Sequence, residues 1–181
     1  TLQKKLYLFY ASEFWIFFHL ISGVLLPFYL FYGGLSFFQL MILQSWFSLW
    51  IVIFEIPTGA LADLIGRKKT ILLGLVVNII GIILYVIKPS FMMFLFAELF
   101  WALAQALFSG AKEALLYDTL LDHDQASLSK NAFSRSKMAH VFALMISAPV
   151  GSLIGEKFGF QWPMILMIIP KKRENMVGQR I

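Results

Sequence analysis

Long apolar runs separated by short polar or glycine-containing breaks divide the chain. The runs are Leu6 to Tyr32, Phe37 to Ala62, Ile71 to Ile87, Phe91 to Leu120 and Phe133 to Glu156. A helix needs about 17–25 apolar residues to span hydrocarbon, and each run reaches that length. None shows the strict alternation of a half-buried strand. A last run, Pro163 to Ile169, is far too short to span and is followed by Pro170, Lys171, Lys172 and Arg173. The pattern predicts an all-α polytopic membrane helix bundle. It has about five full transmembrane helices (6–32, 37–62, 71–87, 91–120, 133–156) and a truncated sixth (163–169), with a polar tail over 170–181. The early stop predicts a truncated or frame-disrupted chain, with a five-span protein as the alternative.

The breaks carry their own signals. Gly33, Gly34, Leu35 and Ser36 make a short turn in which Ser36 can cap the second helix. Lys88-Pro89-Ser90 ends the third run, and Pro163 suits the first turn of a sixth helix. Lys4 and Lys5 precede the first run, as in a signal peptide. Such a peptide has an apolar core of only about 7–15 residues and a small-residue cleavage site. This run is longer and has no such site, so it reads as a span.

The bases set orientation. With the N-terminus inside, the inner breaks hold Lys4, Lys5, Arg67, Lys68, Lys69, Lys130, Arg135 and Lys137, and the outer ones hold Lys88 and Lys157. That bias places the N-terminus in the cytoplasm and the chain in the cell membrane. The net charge of +5 therefore serves topology, and no nucleic-acid partner is expected. Hydrophobic residues make up 60% of the chain and charged ones 14%, which agrees with a bilayer environment.

Several chemistries are disfavoured. Without cysteine, no disulfide, cysteine zinc site or iron–sulfur site can form. The three histidines are far apart and form no HExxH pair, so no metal is expected. Gly66 is followed by Arg67 and Lys68 rather than completing a phosphate-binding GxxxxGK[ST] loop. No cofactor is expected, and an intramembrane enzyme is disfavoured because no paired catalytic motif is visible.

The stretch GALADLIGRKKT, Gly59 to Thr70, joins the second and third runs. By the base count it is a tight cytoplasmic turn. Its pattern of Gly59, Asp63, Gly66, Arg67 and Lys68 closely resembles the signature loop between helices 2 and 3 of the major facilitator superfamily (MFS) of secondary transporters. Leu64 stands where that family usually carries a base. The longer FEIPTGALADLIGRKKT resembles bacterial and archaeal members with Glu-Ile-Pro-Thr-Gly in helix 2. Ser109 to Leu120 is similar to the end of helix 4 in that branch, and Phe158 to Met164 to the aromatic turn before helix 6. Ala148-Pro149-Val150-Gly151 partly resembles the Gly-Pro motif of family antiporters. The likeness runs from about Leu6 to Met167.

The resemblance implies twelve helices in two halves, with this chain supplying the N-terminal half. It also implies a conformational gate made of Gly59, Asp63, Gly66, Arg67, Lys68 and Asp118. In it, Asp63 and Arg67 work with Asp118 to latch the halves on the inner side, and Asp63 meets a helix N-terminus of the second half. The bland reading of Arg67, Lys68 and Lys69 is topology determination alone.

Ionisable residues within spans are costly and usually face a cavity or a partner. Glu13 and His19 lie in the first run, Glu55 in the second, and Glu98, Lys112, Glu113 and Asp118 in the fourth. At about 1.5 Å per residue, Glu13, Glu55, Lys112 and Glu113 all lie about 10–12 Å from the cytoplasmic helix ends and could form one layer of charge. Glu98, Gln105 and Lys112 share a helix face. The third run holds no charge between Ile71 and Ile87, so it can face lipid all round. Gly151 and Gly155 form a GxxxG packing step.

Two roles stay open for Glu13, Glu55, Glu98, Lys112 and Glu113: binding a proton or substrate, or pairing only to hold the bundle. The function expected from the resemblance is movement of a small solute by alternating access, driven by an ion or solute gradient. A proton is the candidate coupling ion. The expected partners are the lipid bilayer, a small-molecule solute, and a complementary C-terminal half or a second copy of the chain. The rival is a non-transporting membrane fragment that associates with another membrane chain.

Orientation is directly testable because the chain has no native cysteine. A Lys68→Cys variant should resist an impermeant thiol reagent added to intact cells and label after permeabilisation. Labelling from outside would reverse the assignment.

Overall fold

The computed structural model describes residues 2–169, so the expected polar tail lies outside the described residues. The described chain is helical throughout. It comprises α1 (Leu2–Ile16), α2 (Leu25–Pro27), α3 (Phe37–Ile65), α4 (Arg67–Ile87), α5 (Phe91–Leu121), α6 (Ser129–Phe158) and α7 (Gln161–Leu166). Short 3-10 turns cover Leu20–Gly23 and Ala126–Leu128, and a π turn covers Phe28–Tyr32. Four stretches are long and apolar enough to cross a membrane: α3, α4, α5 and Ala126–Phe158.

The first apolar run is not one continuous helix. Its α-helix ends at Ile16, His19 is extended, and the chain proceeds through the 3-10 turn, α2 and the π turn. Hydrophobicity does not reveal such breaks, but His19, Gly23 and Pro27 supply them through polarity, backbone freedom and a missing N–H. Backbone carbonyls freed inside a membrane need partners. Here Ser22 donates to the His19 carbonyl at 2.6 Å, and Ser152 of α6 donates to the Gly23 carbonyl at 3.1 Å.

Helix starts follow the sequence closely. Ser36 and Gln39 form a reciprocal capping box at α3, and Ser90 accepts from Met93 N–H at α5. Pro57 lies within α3, where it cannot donate to the preceding turn. Next to it, the Thr58 hydroxyl lies 2.7 Å from the Phe54 carbonyl and 3.2 Å from the Ala106 carbonyl of α5. The expected cytoplasmic turn shrinks to one residue. The helix α3 runs on to Ile65, α4 begins at Arg67, and Gly66 between them has φ +93°, where a side chain would be strained.

Helix α5 is the central element, packing most extensively on α4 and then α3, while α6 packs on the first segment. The expectation that the third run faces lipid all round is overturned. One face of α4 (Ile71, Gly74, Leu75, Asn78, Ile82, Tyr85) is buried, and only the opposite face, with Val76, Ile83 and Ile87, is exposed. The cause is small size rather than polarity. A Cβ on Gly74 would meet the Phe108 ring at 2.8 Å, and one on Gly81 would lie 3.4 Å from the Ala97 carbonyl.

At the other flank, Gly151 of α6 sits against the backbone of Leu20, and Gly155 faces Val24, so the GxxxG step receives the broken segment. The short α7 follows Gly159, and Met164 within it and Met167 just beyond it are fully buried in one core with Leu20, Val24 and Phe28. Faces of α3 (Leu49, Val52, Ile56) and α6 (Val141, Phe142, Met145) remain exposed and apolar.

A Cβ at Gly151 would collide with the Leu20 carbonyl, whereas one at Gly110 of α5 meets nothing within 4 Å. Gly151→Ala should therefore destabilise the fold by about 1–3 kcal/mol through overpacking. Gly110→Ala should be neutral or stabilise by up to about 1 kcal/mol. Unfolding in detergent micelles measures both, and equal effects would refute the packing.

Candidate functional site

Inside the bundle lie two adjoining cavities. The inner one, of about 180 Å³, is lined by α1, α5 and α6 and contains Glu13, Lys112, Ser136 and His140. The outer one, of about 290 Å³, contains His19, Tyr29, Gln44, Tyr85, Glu98 and Trp101. Phe17, Gln105 and His140 line both. The Phe17 and His140 rings stack at 3.5 Å between centroids and 9° between planes. That stacked pair, with Gln105, forms the partition between the cavities.

Lys112 forms an ion pair with Glu13, and both residues are buried, at 4% and 6% exposed. The Lys112 ammonium also lies 4.8 Å from the Phe17 ring centroid, a cation–π contact. Two charges removed from water each carry a desolvation cost of several kcal/mol, offset only while they remain together. The pair therefore holds α1 against α5 at one rotation.

Glu98 is also buried, and its carboxylate accepts a hydrogen bond from the Tyr29 hydroxyl at 2.5 Å. Tyr29 and Tyr85 hydroxyls lie 3.1 Å apart, so both tyrosines belong to one buried polar cluster with Glu98. Trp101 packs edge-on to Tyr85 and to His19. The shared face of Glu98, Gln105 and Lys112 thus spans both cavities.

The expected single layer of charge does not form. Only Glu13 and Lys112 meet. Glu113, one residue on from Lys112, points about 100° around the helix. It is exposed and lies 3.9 Å from Lys137. Glu55 is exposed on α3, and no base lies in ion-pair reach of it among the described residues. Equal depth does not ensure equal facing, which only the rotation of each helix decides.

At the α3–α4 junction, Arg67 lies 2.6 Å from Asp63 and 3.9 Å from Asp118. Arg67, Lys68 and Lys69 occupy the first turn of α4, where the helix dipole disfavours cations. The two aspartates offset that for Arg67 and join α3, α4 and α5. These groups are partly exposed, so each pair contributes only about 0–1 kcal/mol. Lys68 is exposed, and a Cβ built on Gly59 would meet nothing within 4 Å, so no neighbour in the described chain uses its small size.

The sequence reading did not single out Tyr29, Tyr85, Phe17, Trp101 or His140. The tyrosines carried a usable signal, because a tyrosine hydroxyl buried in an apolar span needs a partner. Among the described residues, no group of three or more metal-ligating side chains occurs.

An apolar bundle with buried charge around internal cavities defines a membrane-embedded protein of the transporter class. The family model described as Major Facilitator Superfamily matches residues 7–170, so the chain belongs to that family, whose members are transporters. No individual curated protein matches the chain at a significant level.

The ion pair generates a test. Lys112→Met should destabilise the bundle by about 3–5 kcal/mol by leaving a buried acid without its partner. Adding Glu13→Gln should recover most of that loss. Thermal unfolding in detergent micelles measures both, and a fully stable single variant would refute the coupling.

Proposed function

We propose that this chain forms the cytoplasm-proximal and central machinery of one half of a secondary transporter. It moves a small solute across the cell membrane by alternating access, with its N-terminus in the cytoplasm. The observation that carries this reading is the lining of the two adjoining cavities. Glu13, Lys112 and Glu98 are buried in the bundle and line its cavities, which is where intramembrane charge is used for substrates and ions.

The proposed division of labour follows the geometry. Arg67, with Asp63 and Asp118, is the inner latch, supported by the Gly66 joint and the neighbouring Gly59 and Lys68. Weak, partly exposed ion pairs suit a contact that must open and close. Glu13 is the candidate for carrying the coupling proton, because protonating it would release Lys112 and loosen α1 from α5. Glu98 is the candidate for facing the solute. Glu113, exposed and close to Lys137, lies at the rim of the inner cavity, and Glu55 is exposed on α3, where each could meet a second half of the transporter.

The energy source in this reading is an ion or solute gradient, with a complementary half or a second copy closing the solute path. The faces of α3 and α6 that this chain leaves open can take such a partner or lipid, and they fit equally the second reading, a membrane chain that associates without transporting. Reconstitution into liposomes with an imposed proton gradient separates them. The chain alone should give no saturable uptake, and co-reconstitution with a complementary six-helix half should restore it. Uptake by the paired halves should fall at least tenfold with Glu13→Gln. Saturable uptake by the chain alone would refute the need for a second half.

A further inference from the structure

We infer that the outer cavity is a binding site for a small organic monocation. This rests on the transporter reading above and names the chemical class of its solute.

The first argument is charge balance. The lining of the inner cavity holds two acids, Glu13 and Glu113, and two lysines, Lys112 and Lys137. Its formal charge is already neutral. The lining of the outer cavity holds the single acid Glu98 and no lysine or arginine. A buried carboxylate with no lysine or arginine in its cavity is balanced either by a proton or by a bound cation, and this cavity has room for the cation. Tyr29 donates to Glu98 at 2.5 Å, which holds the carboxylate in place without neutralising it.

The second argument is the broken first segment. The helix α1 ends at Ile16, and Phe17 and His19, which follow that end, line the outer cavity. A helix C-terminus carries partial negative charge, so the cavity lies between a carboxylate and a negative helix end. Both favour a cation and disfavour an anion.

The third argument is the wall. Phe17, Tyr29, Phe47, Tyr85 and Trp101 line this cavity. Aromatic faces attract organic cations. A bare metal ion would instead need several oxygen ligands to replace its hydration shell, and this lining is mainly carbon. At about 290 Å³ the cavity suits a compact cation with one aromatic or branched apolar group.

The probe is radiolabelled trimethylphenylammonium, with the uncharged isostere tert-butylbenzene as competitor. Equilibrium binding is measured on the purified chain in lipid nanodiscs, with folding monitored by circular dichroism. Saturable binding is expected, weakened at least tenfold in Glu98→Gln. It should be unchanged in Asp122→Asn, at the exposed end of α5. The neutral isostere should not displace the probe. Trp101→Leu, which leaves the Glu98–Tyr29 hydrogen bond in place, should weaken binding at least threefold and keeps the test decisive if Glu98→Gln fails to fold.

Absence of binding by the folded chain overturns the inference, as does full binding in Glu98→Gln or equal displacement by tert-butylbenzene. Binding without uptake in the paired-half liposomes would keep the cation site and defeat the transporter reading. Uptake of another solute class without cation binding would do the reverse.

Discussion

The buried ion pair between Lys112 and Glu13 sets how the first segment sits on the bundle. Separating the two would strand each charge in a region of low dielectric, so α1 is held to α5 at one depth and one rotation. Everything above that contact follows from it. Phe17, one turn on from Glu13, is brought under the Lys112 ammonium and onto the His140 ring. That stacking divides the interior into an inner cavity with balanced charge and an outer one with a single acid.

The same constraint explains the break after Ile16. Irregular backbone at membrane depth survives only where protein or a cavity supplies its hydrogen bonds. Here Ser22 and Ser152 supply them, and Gly151 lets α6 come close enough to do so. On the opposite flank Gly74 and Gly81 allow α4 to close on α5. Small residues on two sides thus hold the cavity walls, without polar contacts that would compete with Glu98 or Lys112. Close packing, rather than a hydrophobic driving force between helices, is what holds such helices together in lipid.

The α3–α4 junction is built on a different energy scale. Arg67 bridges Asp63 and Asp118 where all three are partly exposed, and such pairs are individually weak. The charges of the bundle interior are desolvated, while the α3–α4 junction is held by contacts that water can replace.

The sequence by itself determined the helical class, the breaks, the capping residue Ser36, and the family signature from Gly59 to Lys68. Lys112 could also be paired to an acid by depth alone, with Glu13 or Glu55 as its partner. Those features depend on composition, local backbone preference and rise per residue, which are local quantities. The tertiary structure decided which way each face points. It buried Glu13 and left Glu55 and Glu113 exposed, buried one face of α4 beyond its charged first turn, broke the first run at Ile16, and joined Tyr29 to Glu98 across 69 positions of chain. Helical periodicity specifies which residues share a face, but the rotation of a helix about its axis is set by what it packs against. In this chain that was chosen by Gly74, Gly151 and one ion pair.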